Sequence, residues 1–303
     1  MTTKIPQNAL VVGVDGSPQS WEALRWAADR AELLQRPLHL MHAAAHLAEP
    51  FDQTPSRPAI DSVCNEALSR VRADHPELPV TWSQPSESPI PALVEASAIA
   101  GEIVLGTRGM GAVRGAVLGS VTTEVSATAQ CPVIVVRGTP LDGKSTGPVV
   151  VGVDGRADGV AALDFAFDDA ARRGVPLVPV LAWQLDRWDF ASGIPMPGGD
   201  MKAATEHHRA KLEHVLAGPA ARYPGVEVRP VVECAPTAGS LAQQSVGASL
   251  LVVGTRGHRE LSGFVLGSVS QAMMRRAACP VAVVAHAHAA DGATSRDDRH
   301  ATA

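Results

Sequence analysis

The chain has 303 residues, a length that suggests about two domains. An apolar content of 46% excludes global disorder, and the low aromatic content of 4%, beside many Val, Ala, Leu and Gly, favours an α/β protein with buried parallel strands. The net charge of −5 is spread over both halves without a basic stripe, so no nucleic-acid partner is expected.

Neither a signal peptide nor a membrane partner is expected. The first apolar run is short and ends at Asp15, and the longest later run, VPLVPVLAW (175–183), contains two prolines and is too short to span a bilayer. The four cysteines show no C-x-x-C or zinc-type spacing, which fits a reduced, cytoplasmic compartment. Cys131 and Cys279 are expected to pack as small buried hydrophobes.

Strands and helices alternate through the first half of the chain. Ser17 followed by Pro18 predicts the N-cap and first turn of a helix, and Trp21, Leu24 and Ala28 give that helix an apolar face. The predicted strands are ALVVGVD (9–15), PLHLMHA (37–43), LPVTWS (78–83), EIVLG (102–106) and PVIVV (132–136), and later helices are predicted over about 56–74, about 89–100 and 119–130. This alternation predicts a parallel sheet that is covered on both faces.

A phosphate-loop motif follows the last of these strands. GTPLDGKS (138–145) matches G-x-x-x-x-G-K-[ST] at every fixed position, but a working phosphate loop leaves a strand and opens a helix. Downstream, Gly147 and Pro148 disfavour regular secondary structure, and the β-branched run at 149–153 predicts a strand. The segment is therefore interpreted as a linker.

The second half of the chain repeats the first. VVGVDG occurs at 11–16 and again at 150–155. GTRGMGAVRGAVLGSV (106–121) corresponds to GTRGHRELSGFVLGSV (254–269), and CPVIVV (131–136) corresponds to CPVAVV (279–284). Order and spacing both hold, so the chain contains two copies of one domain. The expected boundaries are domain one at 1–138, a linker at 139–147, domain two at 148–286 and a mobile tail at 287–303.

The element with the most functional information is G-T-R-G-x9-G-S-V, which occurs in both copies. Its first glycine closes an apolar strand, and its last glycine opens a helix, where free N–H groups and the helix dipole favour an anion. The alternative is that each glycine only forms a turn. Its fixed positions are Gly106, Gly109, Gly119, Ser120 and Val121 in the first copy, and Gly254, Gly257, Gly267, Ser268 and Val269 in the second.

This arrangement resembles the universal stress protein family, in the ATP-binding subclass with the motif G-x2-G-x9-G-[ST]. The resemblance covers about 8–137 and 148–285. It implies two tandem Rossmann-like domains of the adenine nucleotide α-hydrolase-like type, each with a five-stranded parallel sheet of order 3-2-1-4-5. It also implies a nucleotide bound between the first and fourth strands, with ATP as the favoured cofactor and magnesium as a possible companion.

The resemblance also implies roles for individual residues. Asp15 and Asp154 would contact the adenosine side or a metal ion, and Ala43 and Ala182 would contact adenine. The paired glycines with Ser120 and Ser268 would hold ribose and phosphates. Arg108 and Arg256 would either reach phosphate or remain solvated. The list of expected binding residues is completed by Val121 and Val269.

Relatives of this type pair as dimers through their last strands, which implies an internal pseudo-dimer in a tandem chain. CPVIVV and CPVAVV are both apolar, β-branched edge strands, and such edges favour pairing. Further assembly into a homo-oligomer stays open.

Two classes of function fit the sequence. The first is a nucleotide-binding stress-response or signalling module; the second is an enzyme, either a slow ATP hydrolase or a nucleotidyl transferase. The loop VDGSPQS (14–20) lacks the S-G-G-x-D-S pattern of pyrophosphatase-type ligases, and neither HIGH nor KMSKS occurs. Neither glycine loop offers an obvious general base, so binding is favoured over catalysis. A member that binds cyclic AMP remains an alternative.

Overall fold

The computed structural model describes residues 4–43, 57–109, 118–137, 146–155, 160–184, 200–255 and 266–285. The N-terminal half (4–137) contains five strands and four helices among its described residues. Its strands are β1 (Leu10–Gly13), β2 (Leu38–Met41), β3 (Val80–Ser83), β4 (Glu102–Gly106) and β5 (Val133–Val136). Its helices are α1 (Pro18–Leu34), α2 (Arg57–Asp74), α3 (Pro89–Ala96) and α4 (Ser120–Thr128).

The C-terminal half (146–285) repeats this order of elements. Its strands are β6 (Val149–Gly152), β7 (Leu177–Trp183), β8 (Val231–Cys234), β9 (Leu250–Gly254) and β10 (Val281–Val284). Its helices are α5 (Val160–Arg173), α6 (Asp200–Arg222), α7 (Thr237–Gln244) and α8 (Ser268–Arg276). The α/β fold class predicted from the sequence is therefore confirmed.

All ten strands form one sheet in the order β3-β2-β1-β4-β5-β10-β9-β6-β7-β8. Strands within each half are parallel, and each half has its first strand in the middle with its second and fourth strands on either side. The halves join where β5 and β10 pair in antiparallel fashion, with Ile134 opposite Ala282. The predicted pairing of the two last strands is confirmed.

The start of α1 follows the sequence prediction. Ser17 is the N-cap, its hydroxyl accepts a hydrogen bond from the Ser20 amide at 3.2 Å, and Pro18 occupies the first turn. The predicted end of α3 at residue 100 is wrong, because the helix stops at Ala96 and residues 97–99 form turns. The Ser97 hydroxyl bonds back to the Val94 carbonyl at 2.6 Å, a local contact that competes with helix propagation.

Helices cover both faces of the sheet. One apolar core lies under α1, α2, α5 and α6, and the other lies under α3, α4, α7 and α8. Cys131 and Cys279 are buried in the second core, and burial raises the pKa of each thiol to about 12. The prediction that these two cysteines pack as buried hydrophobes is confirmed. In the part of the chain that the structure describes, no helix combines the length and apolar character needed to cross a membrane.

The phosphate-loop motif GTPLDGKS lies outside the described residues, as does the expected tail at 287–303. The described residues that follow the motif lead into strand β6, which begins at Val149. A phosphate loop needs a helix at this point. The prediction that a strand follows the motif is confirmed.

A buried histidine in β2 predicts a pH dependence of stability. The ring nitrogens of His39 bond to the hydroxyls of Thr81 and Ser83, each at 2.8 Å, and burial lowers the pKa of His39 to about 4. The unfolded chain therefore binds a proton below about pH 6.5 that the folded chain takes up only near pH 4. Stability should fall as the pH drops through this window, by roughly 3 kcal/mol from this group.

Urea unfolding of the wild type and His39→Gln between pH 7 and pH 4 measures this contribution. The variant should lose less stability than the wild type across the window, since other groups titrate equally in both. Identical pH slopes for the two proteins would show that His39 does not carry the effect.

Candidate functional site

The candidate site in the N-terminal half lies at the carboxyl ends of β1 and β4. Strand β1 has β2 on one side and β4 on the other, so the order of strands in the sheet changes direction at β1. In open parallel sheets, such a switch point leaves a crevice where ligands bind. The C-terminal half has the same arrangement around β6, between β7 and β9.

The turn after the first strand has the same backbone form in both halves. Gly16 and Gly155 both adopt positive φ, at 87° and 74°, a conformation that glycine tolerates without strain. In the first turn the Ser17 amide donates to Asp15 Oδ1 at 3.0 Å, which fixes the half-buried carboxylate over the end of β1. Asp154 is half-buried at the corresponding position after β6.

Gly109 brings the glycine loop against Asp15. A Cβ atom on Gly109 would collide with Oδ2 of the Asp15 carboxylate, so a larger residue here would force that carboxylate to move. The glycine loop after β4 thus lies against the turn after β1. The structure therefore brings together two residues that are separated by more than ninety positions in the sequence.

The glycine loop closes back on the end of its own strand. The Gly119 amide donates to the Thr107 carbonyl at 2.8 Å, and the Thr122 hydroxyl donates to the Gly106 carbonyl at 2.8 Å. Both bonds fix the start of α4 beside the end of β4.

The C-terminal half has the same two bonds. Gly267 donates to the Thr255 carbonyl at 2.7 Å, and the Ser270 hydroxyl donates to the Gly254 carbonyl at 2.5 Å. Threonine in one half is thus replaced by serine in the other, with the hydroxyl bond retained. The loop closure is a property of the repeated motif.

The glycines of the motif differ in role. A Cβ atom on Gly106 would lie 2.7 Å from the carbonyl oxygen of Gln19, so Gly106 is required for close packing of β4 against α1. A Cβ atom on Gly119 would lie 3.6 Å from the Thr107 carbonyl oxygen, which is an ordinary contact. The backbone of Gly119 is extended, with φ of −76°, so neither packing nor conformation demands glycine there.

The starts of α4 and α8 differ from the start of α1. Gly119 and Gly267 are the N-caps of α4 and α8, and glycine has no side chain with which to cap the first-turn amides. Ser120 and Ser268 follow as exposed first residues of these helices, while Val121 and Val269 pack partly against the core. The positive ends of both helix dipoles therefore lie beside the glycine loops.

The ends of the second strands lie next to these crevices. Ala43 is half-buried just beyond β2, and Ala182 is half-buried within β7. Sequence reasoning missed the contact of His42, whose Nδ1 donates to the Val14 carbonyl at 2.6 Å and joins the end of β2 to the end of β1. The position of His42 beside Ala43, at the end of a predicted strand, was the available signal.

A cavity of about 490 Å³ opens beside the end of β2, on the α3 side of the sheet. Sequence reasoning also missed this cavity, because its wall combines an N-terminal segment, two strand ends and a helix. Its lining includes Ile5, Met41, Ser83, Glu87, Ala92 and Glu95.

The remaining predicted residues have mixed outcomes. Arg108 is exposed in the turn after β4. Arg256 and Gly257 lie outside the described residues. Within the described ranges, no group of three or more His, Cys, Asp and Glu side chains is placed to hold a metal ion.

Comparison with known proteins identifies the family. The model of the universal stress protein family matches the chain twice, at residues 8–137 and 146–285. The chain belongs to the universal stress protein family. It contains two universal stress protein domains in tandem, and these correspond to the two halves of the ten-stranded sheet.

Relatives in mycobacteria share the tandem length. Universal stress protein Rv2005c of Mycobacterium tuberculosis is 36% identical over 291 residues, which cover 91% of this chain and 97% of the relative. A universal stress protein of Mycolicibacterium smegmatis is 36% identical over 299 residues, covering 94% and 99% of the two chains. The likeness therefore extends over both domains.

A solved structure shows the same fold at low sequence identity. A universal stress protein from Archaeoglobus fulgidus superposes with a TM-score of 0.64 at 19% identity, covering 92% of this chain and 96% of that chain. This likeness concerns the fold of the universal stress protein domains and their tandem arrangement.

Proposed function

We propose that the chain binds an adenine nucleotide, with ATP favoured, in each of its two domains and acts as a nucleotide-dependent stress-response module. The observation that carries this proposal is the approach of Gly109 to the Asp15 carboxylate across the switch point of the sheet. This approach places a carboxylate beside bare backbone at the switch point between β1 and β4. Family membership supports a stress-response role.

Each side of the crevice suits a different part of a nucleotide. The Ser17 amide holds Oδ1 of the Asp15 carboxylate in place. This carboxylate can accept hydrogen bonds from ribose hydroxyls or share a magnesium ion with phosphate. On the opposite side, the first turn of α4 presents backbone N–H groups and the Ser120 hydroxyl. Such a helix start stabilises phosphate oxygens.

The adenine ring would lie towards the end of β2. Ala43 is small and half-buried there, and the cavity of about 490 Å³ opens nearby beside Met41. The wall of this cavity combines apolar side chains, such as Met41 and Ala92, with polar ones, such as Ser83, and a flat base with hydrogen-bonding edges suits such a mixture. Ala182, near the end of β7, would have the corresponding role in the C-terminal domain.

The proposed organisation follows the two matched regions, with domain one at 1–138, a linker at 139–147 and domain two at 148–286. The four cysteines show no C-x-x-C or zinc-type spacing, which supports the proposed cytoplasmic setting. The protein is proposed to bind rather than to catalyse, because the sequence of neither glycine loop contains an obvious general base.

Replacing Gly109 by alanine tests the N-terminal site. The new methyl group would displace the Asp15 carboxylate, so ATP affinity at this site should fall about tenfold or more, equivalent to roughly 1.4 kcal/mol. Asp15→Asn should give a similar loss because it removes the charge while retaining an oxygen for the Ser17 amide. Isothermal titration calorimetry with ATP, and separately with cyclic AMP, measures both variants and identifies the preferred nucleotide.

Gly225→Ala is the matched control, because a Cβ atom there would meet no atom within 4 Å. This control should bind like the wild type. Unchanged ATP affinity in both Gly109→Ala and Asp15→Asn would refute the proposed site in the N-terminal domain.

Lys144→Ala is expected to leave ATP affinity unchanged. The residues after GTPLDGKS enter strand β6, so Lys144 cannot belong to a phosphate loop that opens a helix. Calorimetric titration of the variant checks this, and a tenfold loss of affinity would restore the phosphate-loop interpretation.

A further inference from the structure

A buried ionic cluster joins the two domains on the α1 and α5 side of the sheet. The Arg30 guanidinium of α1 bonds to the Glu102 carboxylate at 2.5 and 2.8 Å, and it also bonds to Asp169 of α5. Asp169 in turn accepts from Arg173 at 2.8 Å. Arg30 is 1% exposed and Asp169 is 2% exposed, so water screens their interaction little.

The two residues that cross the domain boundary are counterparts in the repeat. Arg30 lies 19 residues after Val11, which starts the first VVGVDG, and Asp169 lies 19 residues after Val150, which starts the second. The antiparallel pairing of β5 and β10 shows the same relation, since Ile134 lies opposite Ala282, its equivalent in the CPV strands. A pseudo-twofold axis therefore passes through the β5–β10 pair and between Arg30 and Asp169.

The surrounding rings obey the same symmetry. Trp26 and Phe165 are also counterparts, at 15 residues after their respective VVGVDG starts. The guanidinium of Arg30 lies 5.4 Å from the Trp26 ring centroid and 5.6 Å from that of Phe165. Both positions thus keep an aromatic ring, while positions 30 and 169 carry opposite charges.

This charge difference bears on which domains can pair. Two N-terminal domains paired about the same axis would place one Arg30 against another. Two C-terminal domains would place one Asp169 against another. Burying like charges in contact is strongly unfavourable, whereas a buried pair of opposite charges with satisfied hydrogen bonds is tolerated.

We propose that the Arg30–Asp169 contact makes the domain interface selective, so that each domain accepts the opposite domain of this chain and rejects a second copy of itself. The aromatic rings and the β5–β10 strand pair provide adhesion that either kind of pairing could use. The charges restrict pairing to one N-terminal domain with one C-terminal domain. A tandem chain thereby closes on itself instead of joining other chains through its last strands.

Charge inversion within one domain at a time tests the proposal in the full chain. The first variant carries Arg30→Glu with Glu102→Lys, and the second carries Asp169→Lys with Arg173→Glu. Each keeps an opposite-charge pair inside its domain and makes only the contact between domains repulsive. The fourfold variant combines both changes and restores attraction across the axis.

Each single-domain inversion should lower the Tm by roughly 10 °C and increase hydrogen exchange at the β5 and β10 amides. The fourfold variant should recover at least half of the lost Tm and the amide protection. Losses that simply add in the fourfold variant would overturn the proposal, because packing damage alone is additive in this way.

If the charge-inverted variants do not fold, a double-mutant cycle of uncharged substitutions tests the proposal instead. Arg30→Gln and Asp169→Asn should each lower the Tm, and the double variant should lose clearly less than the sum of the two. Additive losses in this cycle would also overturn the proposal, since no charge coupling would then exist to select a partner.

Discussion

Replacing Gly119 and Gly267 together by valine is expected to abolish ATP binding while the protein stays folded. The proposed phosphate contacts use backbone N–H groups at the starts of α4 and α8, and a branched side chain at either N-cap would fill the space of the phosphate oxygens. The fold should survive, because both backbones are extended, at φ of −76° and −62°, and a Cβ atom on Gly119 makes ordinary contacts.

Calorimetric titration with ATP, together with circular dichroism, measures this result. Affinity in the double variant should fall at least about a hundredfold, equivalent to roughly 2.8 kcal/mol. Each single variant should lose one of two sites, so the stoichiometry should drop from two towards one. Gly218→Val in α6 is the control, since it places the same side chain at an exposed glycine with no atom within 4 Å. A folded double variant with wild-type affinity would show that these glycines only form turns.

Gly106→Ala, in contrast, is expected to lower the stability of the folded protein. The added methyl group would lie 2.7 Å from the carbonyl oxygen of Gln19, in the backbone of α1, and a helix backbone cannot move aside as a flexible side chain can. Overpacking of this kind costs roughly 1–3 kcal/mol. Unfolding in urea should show a lower midpoint with an unchanged slope.

Gly119→Ala is the comparison for this variant, because it adds the same methyl group to the same motif without a clash. Its unfolding midpoint should stay near that of the wild type. Equal stability losses in both variants would contradict the division of the motif into packing and binding glycines.

The sequence predicted the features that depend on repetition and on local periodicity. The two copies, the alternating elements and the Ser17 cap followed from residue patterns, because each is determined by neighbours along the chain. The pairing of CPVIVV with CPVAVV also followed, since an apolar edge strand needs a partner.

Features that depend on contacts between distant segments could not be predicted. The motif gave Gly106 and Gly109 the same status, yet one packs against Gln19 and the other approaches Asp15. The buried pair of Arg30 and Asp169 looks like two ordinary helix charges until the sheet brings α1 and α5 together. Pairwise contacts of this kind require the register of β5 and β10, which no local pattern contains.

The most direct test of the account is a calorimetric titration of the full chain with ATP. The account predicts saturable binding with a stoichiometry near two per chain, and adenine nucleotide among the molecules released when purified protein is denatured by heat. A folded chain that binds no ATP, and that releases no adenine nucleotide, would contradict it.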